Sequence, residues 1–186
     1  MSIDFGANYL AIDTMYLEIG NFSLVGNRLQ AEDIYLTKPG KVNGNFTGTD
    51  TELNVNFAVP QGTYEAMQLT MQFGGTASLR IRGTYYQANG NSKRVLIDVN
   101  SDEYIVKSIL EAGAKTVLID KNNPGKINIL IDPNELFSGL NPGIWNAANP
   151  SVVGGQNAIE VSNSNNGNIH DLVKNKINSS ISYSFE

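Results

Sequence analysis

His170 is the sole histidine of the chain and stands beside Asp171. A Ser-His-Asp relay would need a serine brought to that pair by the fold, because a serine hydroxyl is a weak nucleophile until a base takes its proton. No Gly-x-Ser-x-Gly elbow is present to expose such a serine. Zinc takes about four nitrogen or thiolate ligands, and one histidine without any cysteine falls short. His170 is therefore expected as a solvated residue of a helix. Oxygen donors at calcium-like spacing occur in two places. Asp98, Asn100 and Asp102 form one set, and Asp132, Asn134 and Glu135 the other. Neither follows the Asp-x-Asp/Asn-x-Asp/Asn-Gly pattern of a calcium loop. Asp and Asn also serve turns by bonding their own backbone. The first set is carried as a calcium candidate, but no metal and no cofactor is expected. A glycosidase pair of carboxylates is defined by a separation of roughly 5–10 Å that only a fold can show.

Trp145, the one tryptophan, lies in Asn141-Pro142-Gly143-Ile144-Trp145-Asn146 within a segment, 138–157, too long for a mere connection. An indole among amides can stack on a sugar ring while Asn141 and Asn146 bond its hydroxyls. Equally, Trp145 and Ile144 can plug the open end of a β-structure. Tyr85 and Tyr86 are adjacent, so on a strand they point to opposite faces. Alternation assigns Tyr85 to the core and Tyr86 to the outside, and Tyr86 joins Trp145, Asn146 and Asn141 as a ligand-binding candidate.

These residues need a scaffold, and the scaffold reads as mainly β. Apolar-alternating runs recur every 8–14 residues with Gly, Asn, Asp or Pro between them. In 9–19 the alternation changes phase near Asp13-Thr14, which predicts a bulge. A hairpin is expected across Gly26-Asn27, a turn at 38–41 and a loop at 42–50. Leu53, Val55, Phe57 and Val59 share a face, as do Met67, Leu69, Met71 and Phe73. Leu79, Ile81 and Tyr85 point inward, and a turn at 88–91 leads to Val95, Ile97 and Val99. Segment 101–113 supports either a helix capped by Ser101, taken as the first reading, or an edge strand over 104–109. Runs 116–120 and 126–132 read as a hairpin, 133–137 as one helical turn and 158–162 as a short strand. Ile169, Leu172, Val173 and Ile177 mark a helix over 168–177, with Lys174 and Lys176 in its last turn. Ile181, Tyr183 and Phe185 make a closing strand.

Between residues 53 and 73 two such runs meet at a Pro60-x-Gly62-x-Tyr64 corner. Pro60 removes a backbone donor and stops the preceding strand. Gly62 permits a positive-φ turn. Tyr64 can bury its ring and bond its hydroxyl to backbone across the corner, as in Greek-key sandwiches. The expected fold is an antiparallel β-sandwich of Greek-key, transthyretin/Ig-like type with one or two short helices. Residues 1–138 form the sandwich, and 139–186 a loop-strand-helix-strand extension packing on the same domain.

The order of Ile/Leu strand, Val-Pro-x-Gly-x-Tyr corner, Gly83-Thr84-Tyr85-Tyr86, the 95–99 strand, Ser101 and the 127–132 segment carries a resemblance. Over residues 3–138 the chain resembles exported bacterial lipoprotein domains of unknown function, of the Bacteroides group, with transthyretin-like (prealbumin-like) character. Residues 139–186 are similar to a C-terminal extension found in some of those lipoproteins. The resemblance implies export to the periplasm or outer cell surface and tethering by an N-terminal lipid, and it supplies no catalytic residues. The lipid-bearing cysteine is not in this sequence, so a signal segment preceding it is the corresponding expectation.

Composition agrees with a module of that kind. Thirteen basic residues stand against 18 acidic ones, net charge −5, and no run of Lys or Arg occurs beyond the pair Lys93-Arg94. That excludes a nucleic-acid footprint. Charged residues make up only 17%, and Asn, Gly, Ser and Thr supply the polar surface instead. No apolar run reaches the ~20 residues of a membrane span. The expected function is a non-enzymatic exported binding or structural module whose partner is a glycan or another envelope protein. A pilus-like or adhesion subunit pairing through the strand 181–185 is the alternative, and a hydrolase stands behind both.

Overall fold

The computed structural model describes residues 1–45, 52–54, 58–74, 78–102, 104–110, 116–122 and 127–185. In chain order the strands are β1 (Ser2–Asp4), β2 (Tyr9–Arg28), β3 (Ile34–Asn45), β4 (Glu52–Asn54), β5 (Gly62–Phe73), β6 (Leu79–Tyr86), β7 (Ser92–Val99), β8 (Tyr104–Leu110), β9 (Val117–Ile119), β10 (Ile127–Ile131), β11 (Ser151–Val153), β12 (Gln156–Val161) and β13 (Ile181–Phe185). Three helices accompany them among the described residues: α1 (Pro133–Leu136), α2 (Pro142–Ala147) and α3 (Gly167–Ser180). The protein is thus mainly β, with one helix more than the sequence reading allowed.

Among the described residues ten strands form one large sheet along the path β11-β12-β7-β6-β2-β5-β8, with β1 and β3 on β2 and β9 on β5. A smaller sheet orders β13-β10-β4. The long strand β2 organises the large sheet. Its residues 9–17 pair with β6 and its residues 19–28 with β5, while β3 covers 16–26. A strand has two edges and β3 overlaps both partners, so β5 and β6 lie end to end along the same edge. They meet where Gly20 and Gly74 pack backbone against backbone, at a register shift between Ile19 and Asn21. A second shift falls between Ile12 and Thr14, the bulge read from the phase change at Asp13-Thr14.

Alternation then does its work. Leu10, Ile12, Met15, Leu17, Ile81, Tyr85, Ile97, Leu69, Met71 and Phe73 are buried on one face. Their core is continuous with buried residues of the small sheet (Ile129, Ile131, Ile181) and of all three helices (Leu136, Trp145, Ile169, Val173, Ile177). The buried residues from Leu140 to Ile181 therefore belong to the same core as the rest of the chain.

Several local expectations change. The sheet is mixed, because β12 runs parallel to β7; the long excursion between them gives the chain the length that a parallel return requires. Gly26-Asn27 is not a turn. β2 runs on to Arg28, and a Cβ at Gly26 would lie 2.8 Å from the Tyr64 ring, so the glycine makes room for that ring inside a strand. The reversal occurs at 29–33 instead. Residues 38–41, expected as a turn, belong to β3, where Pro39 pairs with Asn21 beside the register shift. An edge strand and an irregular ladder are where proline is tolerated. The expected loop 42–50 is strand as far as Asn45, and its remainder lies outside the described residues, as do Val55 and Phe57. Segment 101–113 gives strand β8 over 104–110, and 111–113 lie outside the described residues. Ser101 is not a helix cap: its backbone N–H is bonded by Ser78 Oγ (3.1 Å) and its carbonyl accepts from the same hydroxyl (2.8 Å). β9 and β10 do not pair with each other: β9 joins β5, and β10 joins β13 and β4. The 138–157 segment holds α2 and β11. α3 extends to Ser180, which moves Lys174 and Lys176 out of its last turn.

At the corner Tyr64 is fully buried and its hydroxyl donates to the Pro60 carbonyl at 2.7 Å. Burial pushes that hydroxyl's pKa up, and the neighbouring Arg28 charge offsets part of the shift. Gly62 is nearly fully extended, φ 159°, rather than in a tight turn. Its small size matters instead, since a Cβ there would meet Arg28 Cδ at 3.1 Å.

α3 is pinned to α1 through Glu135, whose Oε1 accepts from Lys176 Nζ (3.1 Å) and Ser179 Oγ (2.9 Å). These bonds, that to Lys176 foremost, hold the Glu135 carboxyl below its usual value of 4.5. A depressed folded-state pKa stabilises the native chain above the unfolded value, and this contribution disappears as pH falls through the folded one. Urea midpoints of the wild type should therefore exceed those of Glu135→Gln at pH 7. The two should converge as pH falls through the lowered folded-state pKa of Glu135. A difference that stays constant with pH would rule the carboxylate out as the cause.

Candidate functional site

The candidate residues gather at the end of the large sheet where β2 begins and β6 ends. Asn141 caps α2, its Oδ1 accepting from the Ile144 N–H at 3.2 Å, with Pro142 in the first turn. This cap orients the short helix so that Trp145 turns down onto the sheet. There the indole stacks on Tyr85 (ring centroids 5.5 Å apart, planes 25°) and meets Phe5 at 6.4 Å. Both Trp145 and Tyr85 are completely buried. Trp145 thus plugs the core and presents no ring face to a ligand in this arrangement. Asn146 follows on the exposed side, its Oδ1 accepting from Gln87 Nε2 (2.6 Å) and the Tyr85 hydroxyl (3.3 Å). Burial pushes the Tyr85 pKa up, so the group stays a hydroxyl and a donor. Asn141 and Asn146 therefore hold structure: one caps a helix and the other ties it to β6.

Tyr86 lies on the opposite face, away from the helices. It pairs directly with Tyr9 across the strands, and the two rings stack at 4.7 Å with planes 15° apart. They remain 37% and 41% exposed, in contrast to the fully buried Tyr85 one residue away. Register places four residues in one row across this face: Asp4 on β1, Tyr9, Tyr86, and Ser92 on β7. Each ring has one face against its partner and one turned away, on the Asp4 side for Tyr9 and the Ser92 side for Tyr86. The next row holds Ala11, Thr84 and Arg94. Asp4 is exposed and uses Oδ1 to accept from Gly6 N–H (2.7 Å). Hydroxyls and a carboxylate thus flank two aromatic rings, a combination suited to a polyhydroxylated ligand. Alternation marks Tyr86 as exposed, but only cross-strand register brings Tyr9 beside it.

His170 is 4% exposed rather than solvated, with Nδ1 2.9 Å from Asp171 Oδ1. α3 places it on the side of the helix that faces the core, beside Ile169 and Val173. Of the calcium candidates, Asp98 pairs with Arg82 at 2.7 Å across β6 and β7, and Asn100 and Asp102 are exposed. Among the described residues no group of three or more His, Asp or Glu side chains is placed to hold a metal ion. Asp132 caps α1, accepting from Asn134 N–H at 2.8 Å, as the turn reading of that cluster required. No protein-family model, no curated protein and no solved structure matches the chain.

Proposed function

We propose that the chain is a non-enzymatic binding module of an exported envelope protein, and that it holds carbohydrate against Tyr9 and Tyr86. The observation that carries this reading is the exposed, stacked tyrosine pair, set in a row with Asp4 and Ser92 on the face of the sheet that the helices leave open. The resemblance to exported lipoprotein domains and the charge-poor, amide- and hydroxyl-rich surface support export and a neutral ligand. In the same reading the small sheet and the helices act as the second layer of a sandwich over the large sheet. The ligand site then moves from Trp145 to the opposite face, with Tyr86 retained and Tyr9 added.

The test is retention on a glycan array followed by calorimetry on any hit. Tyr86→Ala and Tyr9→Ala are each expected to weaken binding by at least tenfold, about 1.4 kcal/mol. A cross-strand aromatic pair adds only about 0.2–1 kcal/mol to a sheet, so both variants should remain folded. Wild-type protein retained by no glycan, or variants that bind as well as wild type, would overturn the proposal. The assembly reading then takes its place. Strand 181–185 is paired with β10 over its whole length and stays at the edge of the small sheet; β8 is the edge of the large sheet, where Tyr104 and Val106 are 62% and 49% exposed.

A further inference from the structure

At the opposite end of β2 from the tyrosine pair, a cavity of about 290 Å³ opens between the 29–33 reversal and the start of β5. It is lined by Arg28, Leu29, Gln30, Ala31, Gly62 and Thr63. Its walls are tied together. Leu29 N–H donates to the Thr63 carbonyl at 3.0 Å. Asp33 braces the reversal from behind, accepting from Asn27 Nδ2 (2.9 Å) and from the Arg28 backbone N–H (3.3 Å).

Arg28 Nε donates to the Glu32 carbonyl at 2.7 Å, which sets the plane of the guanidinium. Its Nη groups meet no protein acceptor among the described residues. The absence of a side chain at Gly62 lets the arginine stem lie along the cavity floor, 3.1 Å from where a Cβ would stand. Leu29, half exposed, and Ala31 supply an apolar wall, while Thr63 and Gln30 supply polar atoms.

We infer that this cavity binds a small organic carboxylate with a short apolar tail. A guanidinium fixed through Nε presents its two Nη groups as a planar fork, which matches two carboxylate oxygens at once. The volume stands at the lower end of small-molecule sites, about 300 Å³, and suits a ligand the size of an acylated amino acid. The tail lies on Leu29 and Ala31. The inference is independent of the carbohydrate reading, since it uses the other end of β2 and none of the same residues.

The experiment is an amide ¹H–¹⁵N titration of the full chain with N-acetyl-leucine. Saturating shifts are expected at Leu29, Ala31, Gly62 and Thr63. N-acetyl-leucinamide, the same body without the charge, should bind at least tenfold more weakly, and so should inorganic phosphate, which has the charge without the tail. Arg28→Gln should weaken N-acetyl-leucine at least tenfold. Ala31→Trp fills the cavity from an exposed loop position without removing any Arg28 bond, and should abolish the shifts while leaving the rest of the spectrum in place. The inference is overturned by any of four results. These are no saturable shift up to about 10 mM, equal affinity for the amide, equal affinity for phosphate, or binding that survives Ala31→Trp.

Discussion

Gly83→Ala is expected to lower the unfolding free energy by about 3 kcal/mol, the upper range for inserting atoms where none fit. Gly83 is buried in β6, between Ile12 of β2 and Val95 of β7. It sits where the β2 bulge throws the Ala11 carbonyl toward it. A Cβ at position 83 would stand 2.2 Å from that oxygen and 3.2 Å from both the Ala11 carbonyl carbon and Ile12 Cα. All three atoms are backbone, so no rotamer change relieves the contact. The bulge itself must shift, and with it the inward aim of Leu10, Ile12 and Met15. For a chain of this size 1 kcal/mol corresponds to about 2–4 °C in Tm, so thermal unfolding should drop by roughly 10 °C. The neighbouring Thr84→Ala, on the open face, serves as control and should stay within about 2 °C of wild type. A Gly83→Ala protein that melts with the control would mean that the close approach does not constrain the fold.

The bulge itself was legible from the amino acids, because Leu10 and Ile12 fall out of phase with Met15 and Leu17, and only an extra residue restores one buried face. The Tyr64 corner and the split between Tyr85 and Tyr86 were legible for the same reason: period two assigns each side chain to a face. Period two does not name a strand's neighbour. Nothing in the alternation of 62–73 and 79–86 shows that both lie along one edge of β2. Nor does the short run 156–161 announce a parallel partner sixty residues earlier. The two serines that overrule the helix reading of 101–113 illustrate the point. Ser101 looks like a helix cap locally, but Ser78, 23 residues away, claims its backbone groups.

The candidate site followed the same division. Residue types single out Trp145, Asn146, Asn141 and Tyr86 as candidates, and it is the fold that brings them to one end of the sheet. Which of them faces solvent depended on α2, a helix of six residues hidden in a stretch that composition marks as loop. Its cap by Asn141 turns Trp145 inward. The exposed aromatic surface is made instead by Tyr86 with Tyr9, a pairing that only strand register could supply.

Trp145→Ala separates these roles. The indole is fully buried against Tyr85 and Phe5, and truncating a buried tryptophan costs about 3–5 kcal/mol through lost transfer energy and the cavity left behind. Tm should fall by roughly 10–15 °C. Glycan retention measured below that temperature should persist, because Tyr9 and Tyr86 lie on the other face of the sheet and keep their cross-strand pairing. A sugar platform at Trp145 would give the reverse, abolished retention with stability unchanged. Trp145→Phe sharpens the test. The indole Nε1 has no hydrogen-bond acceptor among the described residues, and a buried donor without a partner carries a desolvation cost of about 1–3 kcal/mol. Phenylalanine sheds that cost and keeps a ring on Tyr85, so its loss of packing volume is partly offset and the variant should fall short by only about 1–2 kcal/mol. Chemical denaturation of the three proteins checks the order wild type, Phe, Ala. An alanine variant within about 1 kcal/mol of wild type would show that the plug is not what holds this end of the sheet closed.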